Sequence, residues 1–256
     1  MVCIKGWFYY HIIGKILKKN NFLSFVSCVS DKAVFARYLK SSPCLMNNQY
    51  PLKVYEGMTS AAQAFNIELK RSDCSEWLVS VHQDVFLPPD WDGKFIRAII
   101  EAQEKFSKLA VVGLYGVLRE GENVYDAGHV LDRGELLEGS DALPCAVQSV
   151  DEFLFAVRVD SGLKLDPELG FDFYGTDVVL TAIDNGFEAV VVDAYCEHWS
   201  RMPRLKIPVA VLERIMASGA VFERKWRHKM PLNTPCFSIS QVGDVASLCH
   251  AHNSDF

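Results

Sequence analysis

The sequence predicts a single-domain α/β fold with a mostly parallel central sheet flanked by helices, and three observations predict it. Short apolar, β-rich runs alternate with helically spaced segments from Phe22 onward, the order of βαβ units. Half of the 256 residues are apolar and 23% are charged, a balance that excludes a disordered or fibrous chain. No repeat, low-complexity tract or clear linker divides the sequence. One domain over 21–205 therefore accounts for it, with an N-terminal helical extension in 1–20 and a C-terminal helix and tail in 206–256.

The elements follow in order. FLSFVSCV, at 22–29, is a short buried strand. Asp31 can cap the next segment, KAVFARYLKSS, which has helical spacing at Val34, Phe35, Tyr38 and Leu39 and stops before Pro43. PLKVY is a second strand, ended by Glu56-Gly57, and an Ala-rich helix over 60–67 follows with Thr59 as its capping candidate. WLVSV, at 77–81, is a third strand that runs directly into His82-Gln83-Asp84. A helix over 92–108 places Phe95, Ile96, Ile99 and Ile100 on one face, and AVVGLY is the next strand. The region 116–147 is rich in Gly, Asp and Glu with little periodicity, which predicts long loops with short strands. FLFAVR is a strand, 177–185 a short helix closed by Gly186, and EAVVVDA a strand leading into Cys196-Glu197-His198. A helix over 208–227 follows, and the tail after Pro231 is weakly specified.

Charge and cysteine use narrow the function classes. A net charge of -6 argues against general nucleic-acid binding. The eight cysteines form no CxxC pair, so reduced thiols in a cytoplasmic setting are expected rather than a zinc site or a disulfide framework. The first 20 residues are apolar but interrupted by Lys5, His11 and Lys15, too broken for a transmembrane helix. Ile12, Ile13, Ile16 and Leu17 share a helical face, which suits a helix packed on the domain, on a second copy of the chain in a homo-oligomer, or peripherally on the inner face of a membrane.

Polar groups at strand ends carry the candidate chemistry. Residues i and i+2 of a strand share a face, so His82 and Asp84 project together if the strand persists that far, and Gln83 faces away. They stand at the carboxyl end of a strand, where open parallel sheets bind ligands, and a carboxylate with an imidazole can hold a divalent ion. A capping Asp and a hydrogen-bonded His at a strand exit is the competing reading. His198 also follows an apolar strand and can reach the same edge. Asp177 stands at a predicted helix start, either complementing the helix dipole or serving as a general base pointed into a cleft.

Four pieces in this order resemble a glycosyltransferase of the GT-A (Rossmann-like) fold, of the family 2 type and near the stand-alone streptomycin-biosynthesis-like domain. They are FLSFVSCVSD, VYEGMTSAAQAFN, EWLVSVHQDVFLP and LDPELGFDFYGTDVVLTAIDNGFEAVVVDAYCEHWS, together spanning about 23–200. The resemblance implies a nucleotide-diphosphate sugar donor, a divalent metal (Mn²⁺ or Mg²⁺) and a hydroxyl acceptor on a glycan, a lipid-linked sugar or a small molecule. It implies Asp84 and His198 as metal ligands, and Ser27, Val29 and Glu56 as base and ribose contacts. His82 stands where the family's D-x-D motif has its first aspartate, which makes it a cofactor-side neighbour. Asp177 matches the carboxylate that deprotonates the acceptor, with inversion at the sugar. The family's Glu-Asp pair is Thr176-Asp177 here, and no Q-x-x-R-W motif is present, so addition of a single sugar is expected. A non-catalytic nucleotide- or sugar-binding module is the alternative. A nucleotidyltransferase is disfavoured because SDKAVFARYLK, after the first strand, has no glycine-rich phosphate loop.

Overall fold

The first strand forms at Leu23–Val29 (β1), and Asp31 caps the helix after it, Lys32–Arg37 (α1), by accepting from the Ala33 and Val34 amides. In this computed structural model the described residues are 22–46, 48–71, 75–139, 142–202 and 206–254, so the expectations for 1–20 lie outside them. Leu52–Glu56 (β2) precedes Ala61–Leu69 (α2), whose cap is Ser60 rather than Thr59. Trp77–Val81 (β3) and the short Val85–Phe86 (β4) lead to Trp91–Lys105 (α3). Leu109–Gly113 (β5) then starts the half of the chain that departs most from expectation.

The stretch read as loops holds Tyr115–Glu120 (β6), Asn123–Asp132 (β7) and Glu135–Glu138 (β8), antiparallel neighbours in sequence. Periodicity missed them because the first four residues of β7 are exposed and show no buried face. Cys145–Ala146 (β9) and Ser149–Val150 (β10) come next, followed by Leu154–Arg158 (β11). Tyr174–Asp184 (α4), Glu188–Val191 (β12) and the two-residue Glu197–His198 (β13) complete the site-bearing part. Val209–Trp226 (α5), the hairpin Leu232–Asn233 (β14) with Ser238–Ile239 (β15), and Asp244–Ser254 (α6) close the chain.

The main sheet has the order β2-β1-β3-β11-β5-β12-β9. From the pair directions, β2, β1, β3, β5 and β12 point one way, while β11 and β9 oppose them. This is the expected mostly parallel sheet with helices on both faces. A second sheet, β10-β6-β7-β13-β4, runs beside it, with β8 on β7.

Side-chain alternation sorts the core into two layers. Val26, Leu78, Val111 and Phe155 face α2, α4 and α5, whereas Phe25, Val79, Val112 and Ala156 face α3. Burying a side chain as large as Phe95 or Phe155 contributes about 1.5–3 kcal/mol each. The C-terminal elements belong to the first layer: Leu212, Phe222, Trp226, Leu232, Ile239 and Val245 are buried in it. Among the described residues no helix is long and apolar enough to cross a membrane.

Candidate metal centre and substrate cleft

β3 ends at Val81, so His82 and Asp84 lie in the tight turn between β3 and β4 rather than on the strand. The His82 amide still donates to the Phe153 carbonyl (2.9 Å), which holds the turn against the start of β11. Gln83 turns toward β1: its Oε1 accepts from the Ser30 and Asp31 amides at 3.0 and 2.9 Å, and its Nε2 donates to Ser30 Oγ at 3.0 Å. One side chain thereby ties together the carboxyl ends of two parallel strands.

His198 reaches this turn through strand pairing. In β13 it stands opposite Val85 of the antiparallel β4 and beside Asp132 of the parallel β7, and the Trp199 amide donates to the Asp84 carbonyl (2.9 Å). His82, Asp84 and His198 each offer a ligand atom within 4.8 Å of the other two. The His82 and His198 ring centroids are 5.7 Å apart, and Phe153 stacks on His198 at 5.4 Å.

The donor set fits a divalent transition-metal ion. His198 Nδ1 is 2.9 Å from Asp132 Oδ1, and Asp132 in turn pairs with Arg133 at 2.7 Å. A carboxylate behind an imidazole in this way fixes the ring and points its other nitrogen forward. That nitrogen, Nε2, is buried, lies 3.5 Å from Asp84 Oδ1, and has no hydrogen-bond partner. Burial pushes the His82 imidazole down to about 4, so it is a neutral ligand in waiting. Burial also works against charge on His198, but Asp132 and Asp84 outweigh it and hold that imidazole up at about 9. The same two histidines, with burial opposing them, keep the Asp84 carboxyl below its ordinary range.

A cavity of about 400 Å³ opens beside the triad, at the carboxyl ends of β1, β2 and β3. His82 and Asp84 line one wall, with Val26, Cys28, Val29, Tyr55, Met58 and Ala64 along the floor and sides. Among its described lining residues Arg214, from α5, is the one lysine or arginine; Asp172 holds its guanidinium by two hydrogen bonds of 2.9 Å. A smaller cavity of about 130 Å³ lies behind, lined by Asp151, Glu152, Asp172, Phe173, Thr234 and Phe237 among others. Tyr174 and Arg214, which line the larger cavity, bond to residues of the smaller one: Tyr174 donates to the Glu152 carbonyl (3.4 Å) and Arg214 pairs with Asp172. Burial, Asp172 and Asp151 push the Glu152 carboxyl well up.

The sequence-predicted residues divide. Asp84, His82 and His198 come together, and Val29 lines the cavity. Ser27 does not line it and is buried with an unpartnered hydroxyl, while Val26 and Cys28 on either side border the cavity. Glu56 is exposed and pairs with Lys32 at 3.0 Å, while its neighbours Tyr55 and Gly57 face the cavity. Asp177 lines neither of these two cavities. α4 begins at Tyr174, so Asp177 falls on the face covered by α5, fully buried, 2.8 Å from Trp226 Nε1 and 2.7 Å from Lys225 Nζ. Burial pushes its carboxyl up despite both partners. Sequence reasoning passed over Asp132, Tyr174, Arg214 and Gln83. Only the FDFYGTD context singles out Tyr174, and the other three acquire meaning through long-range pairing.

Neither a family model nor a curated protein matches the sequence. Solved structures do. GalNAc-T7, solved with UDP, GalNAc and Mn²⁺, is 11% identical with a TM-score of 0.50, over 91% of this chain and 54% of that one. The chain thus spans about half the length of that structure. Residues 1–349 of TarS from S. aureus, in complex with UDP-GlcNAc, are 10% identical with a TM-score of 0.42 over 78% of this chain and 65% of that one. The inositol-1-phosphate CTP transferase from T. maritima is 14% identical, with a TM-score of 0.35 over 77% of this chain and 96% of that one. At these identities the likeness is one of fold, and GalNAc-T7 carries it.

Proposed function

We propose that this chain is a metal-dependent, inverting glycosyltransferase that moves a single sugar from a nucleotide-diphosphate sugar to an acceptor hydroxyl. The observation that carries the reading is the His82, Asp84 and His198 triad, two of whose members, His82 and Asp84, line a cavity at the carboxyl ends of parallel strands. GalNAc-T7, which shares the fold, was solved with UDP and Mn²⁺, and the proposal extends that ligand chemistry to this chain.

The roles follow from the groups that border the cavity. Asp84, His198 and His82 are the residues that would hold the ion. Two imidazoles with one carboxylate favour Mn²⁺ over Mg²⁺, which prefers oxygen ligands. When bound, the ion supplies Lewis acidity toward the diphosphate leaving group. Arg214 faces the same space with its guanidinium fixed by Asp172, and complements the donor's phosphate charge. Val29, Cys28 and Tyr55, at the ends of β1 and β2, border the part of the cavity suited to the nucleoside. The acceptor enters from the smaller cavity. There Glu152, with Asp172 committed to Arg214 and Ser218 and Asp151 to the Phe153 amide, is the carboxylate assigned to take the hydroxyl proton, in place of Asp177.

Incubation of the chain with Mn²⁺ and a panel of nucleotide sugars tests the proposal, with release of nucleoside diphosphate as the readout. Release is expected for at least one donor, and NMR of the product should show an inverted anomeric centre. Glu152→Gln should retain nucleoside diphosphate binding and lose transfer by about 100-fold or more. No release from any donor in a broad panel would leave a nucleotide-binding module instead. Normal transfer by Glu152→Gln would remove Glu152 as the base.

A further inference from the structure

A histidine ligand raises a question that a carboxylate ligand does not: which ring nitrogen carries the proton. A carboxylate presents equivalent oxygens, whereas a neutral imidazole binds a metal only through the nitrogen that lacks hydrogen. His82 Nε2 is 2.9 Å from the Tyr174 hydroxyl. That hydroxyl has one proton, and the Glu152 backbone carbonyl accepts it. A carbonyl can only accept, so the arrangement that makes both contacts at once has the hydroxyl give its proton to Glu152 and receive Nε2–H from His82. Nδ1 is then left with its lone pair.

We infer that Tyr174 is a positioning residue that holds His82 in the Nε2–H tautomer and so makes Nδ1 the nitrogen that meets the metal ion. The inference rests on the metal reading above. Tyr174 is 1% exposed and its ring packs against Phe155 at 5.8 Å, so the hydroxyl has a fixed position. The chain invests in that position. Phe173, immediately before it, takes a left-handed backbone (φ 67°) unusual for a bulky residue, and packs on Phe222 and Phe237. Gly175, immediately after it, sits so close to β10 that an added Cβ would fall 2.6 Å from the Val150 carbonyl, and its amide donates to Glu152 Oε1 at 3.3 Å. His198 receives the same service on its other side from Asp132. Each imidazole of the triad therefore has its own acceptor behind it, a phenol oxygen for one and a carboxylate for the other.

The test is made on the metal-free and Mn²⁺-loaded chain without nucleotide or turnover. Long-range ¹⁵N NMR of the metal-free protein should report the Nε2–H tautomer for His82; the Nδ1–H tautomer there would overturn the inference. Tyr174→Phe keeps the ring and should lower the melting temperature by only about 2–4 °C. Its Mn²⁺ affinity, read by electron paramagnetic resonance, should fall by about 10–100-fold, the usual loss for a group one shell behind the metal. In a His82→Asp background the same Tyr174→Phe change should have no effect on Mn²⁺ affinity, because a carboxylate has no tautomer to fix. A purely structural role for Tyr174 would weaken both backgrounds alike, and that result would also overturn it. Equal Mn²⁺ affinity of Tyr174→Phe and wild type overturns the inference alone, whereas a wild type that binds no Mn²⁺ overturns the metal reading with it.

Discussion

Asp84 and Asp177 are both partly or wholly withdrawn from water, yet their surroundings give them opposite roles. Asp84 is half-buried at the cavity rim, with an unpartnered imidazole nitrogen opposite it. Asp84→Ala should weaken Mn²⁺ binding by more than about 100-fold, beyond the loss that a second-shell change causes. Asp132→Asn, one step behind His198, should cost about 10–100-fold in the same titration. Asp177 is sealed under α5 with Lys225 and Trp226. Asp177→Ala leaves the buried Trp226 Nε1 without its acceptor, whereas Lys225 keeps Asp166 at 2.8 Å, so stability should fall by about 1–3 kcal/mol. Urea unfolding measures that loss, and Mn²⁺ affinity should stay within about twofold of wild type. A variant that kept its stability but lost nucleotide-sugar transfer would return Asp177 to the catalytic machinery. The two aspartates look alike in sequence, each beside an apolar run. What separates them is the α5 contact, which no local pattern records.

At the scale of elements, β7 connects the fold to the site. It runs from an exposed hairpin end, through Gly128, to Asp132 behind His198. Gly128 has φ +82°, and an added Cβ would lie 2.0 Å from the Leu114 carbonyl. Gly128→Ala should therefore destabilise the chain by about 2–4 kcal/mol and shift Asp132, so that the urea midpoint and the Mn²⁺ affinity fall together. A loss of stability with unchanged Mn²⁺ affinity would separate β7 from the metal centre. Strands β1 and β3 and helix α3 were legible because their buried faces follow simple periods, with Phe25 and Val79 against Phe95 and Ile99. The β6–β7 hairpin was not, because the first four residues of β7 are exposed and its partners are set by pairing across the second sheet. The two-residue β13 is shorter than any sequence period. Its position, and with it the arrival of His198 beside Asp84, depends on β4 and β7 together.

At the scale of the whole molecule, the C-terminal region is both a cover and a wall. α5 covers the α4 face of the sheet through Leu212, Phe222 and Trp226, and the same helix sends Arg214 into the large cavity. A chain truncated after Ile207 would bare that face, and should bind a hydrophobic dye and lose its sharp thermal transition. A cooperatively folding truncated chain would show the C-terminal region to be an appendage. The metal triad, the cavity and Arg214 converge on one claim, that nucleoside diphosphate binding and metal binding are a single linked event. Calorimetric titration of UDP, GDP, dTDP and CMP tests it most directly, each with Mn²⁺ and again with chelator, on wild type and Asp84→Ala. The account predicts that a nucleoside diphosphate binds the wild type with Mn²⁺ and at least about 10-fold more weakly under the other two conditions. Equal binding with and without Mn²⁺, or by Asp84→Ala, would contradict it.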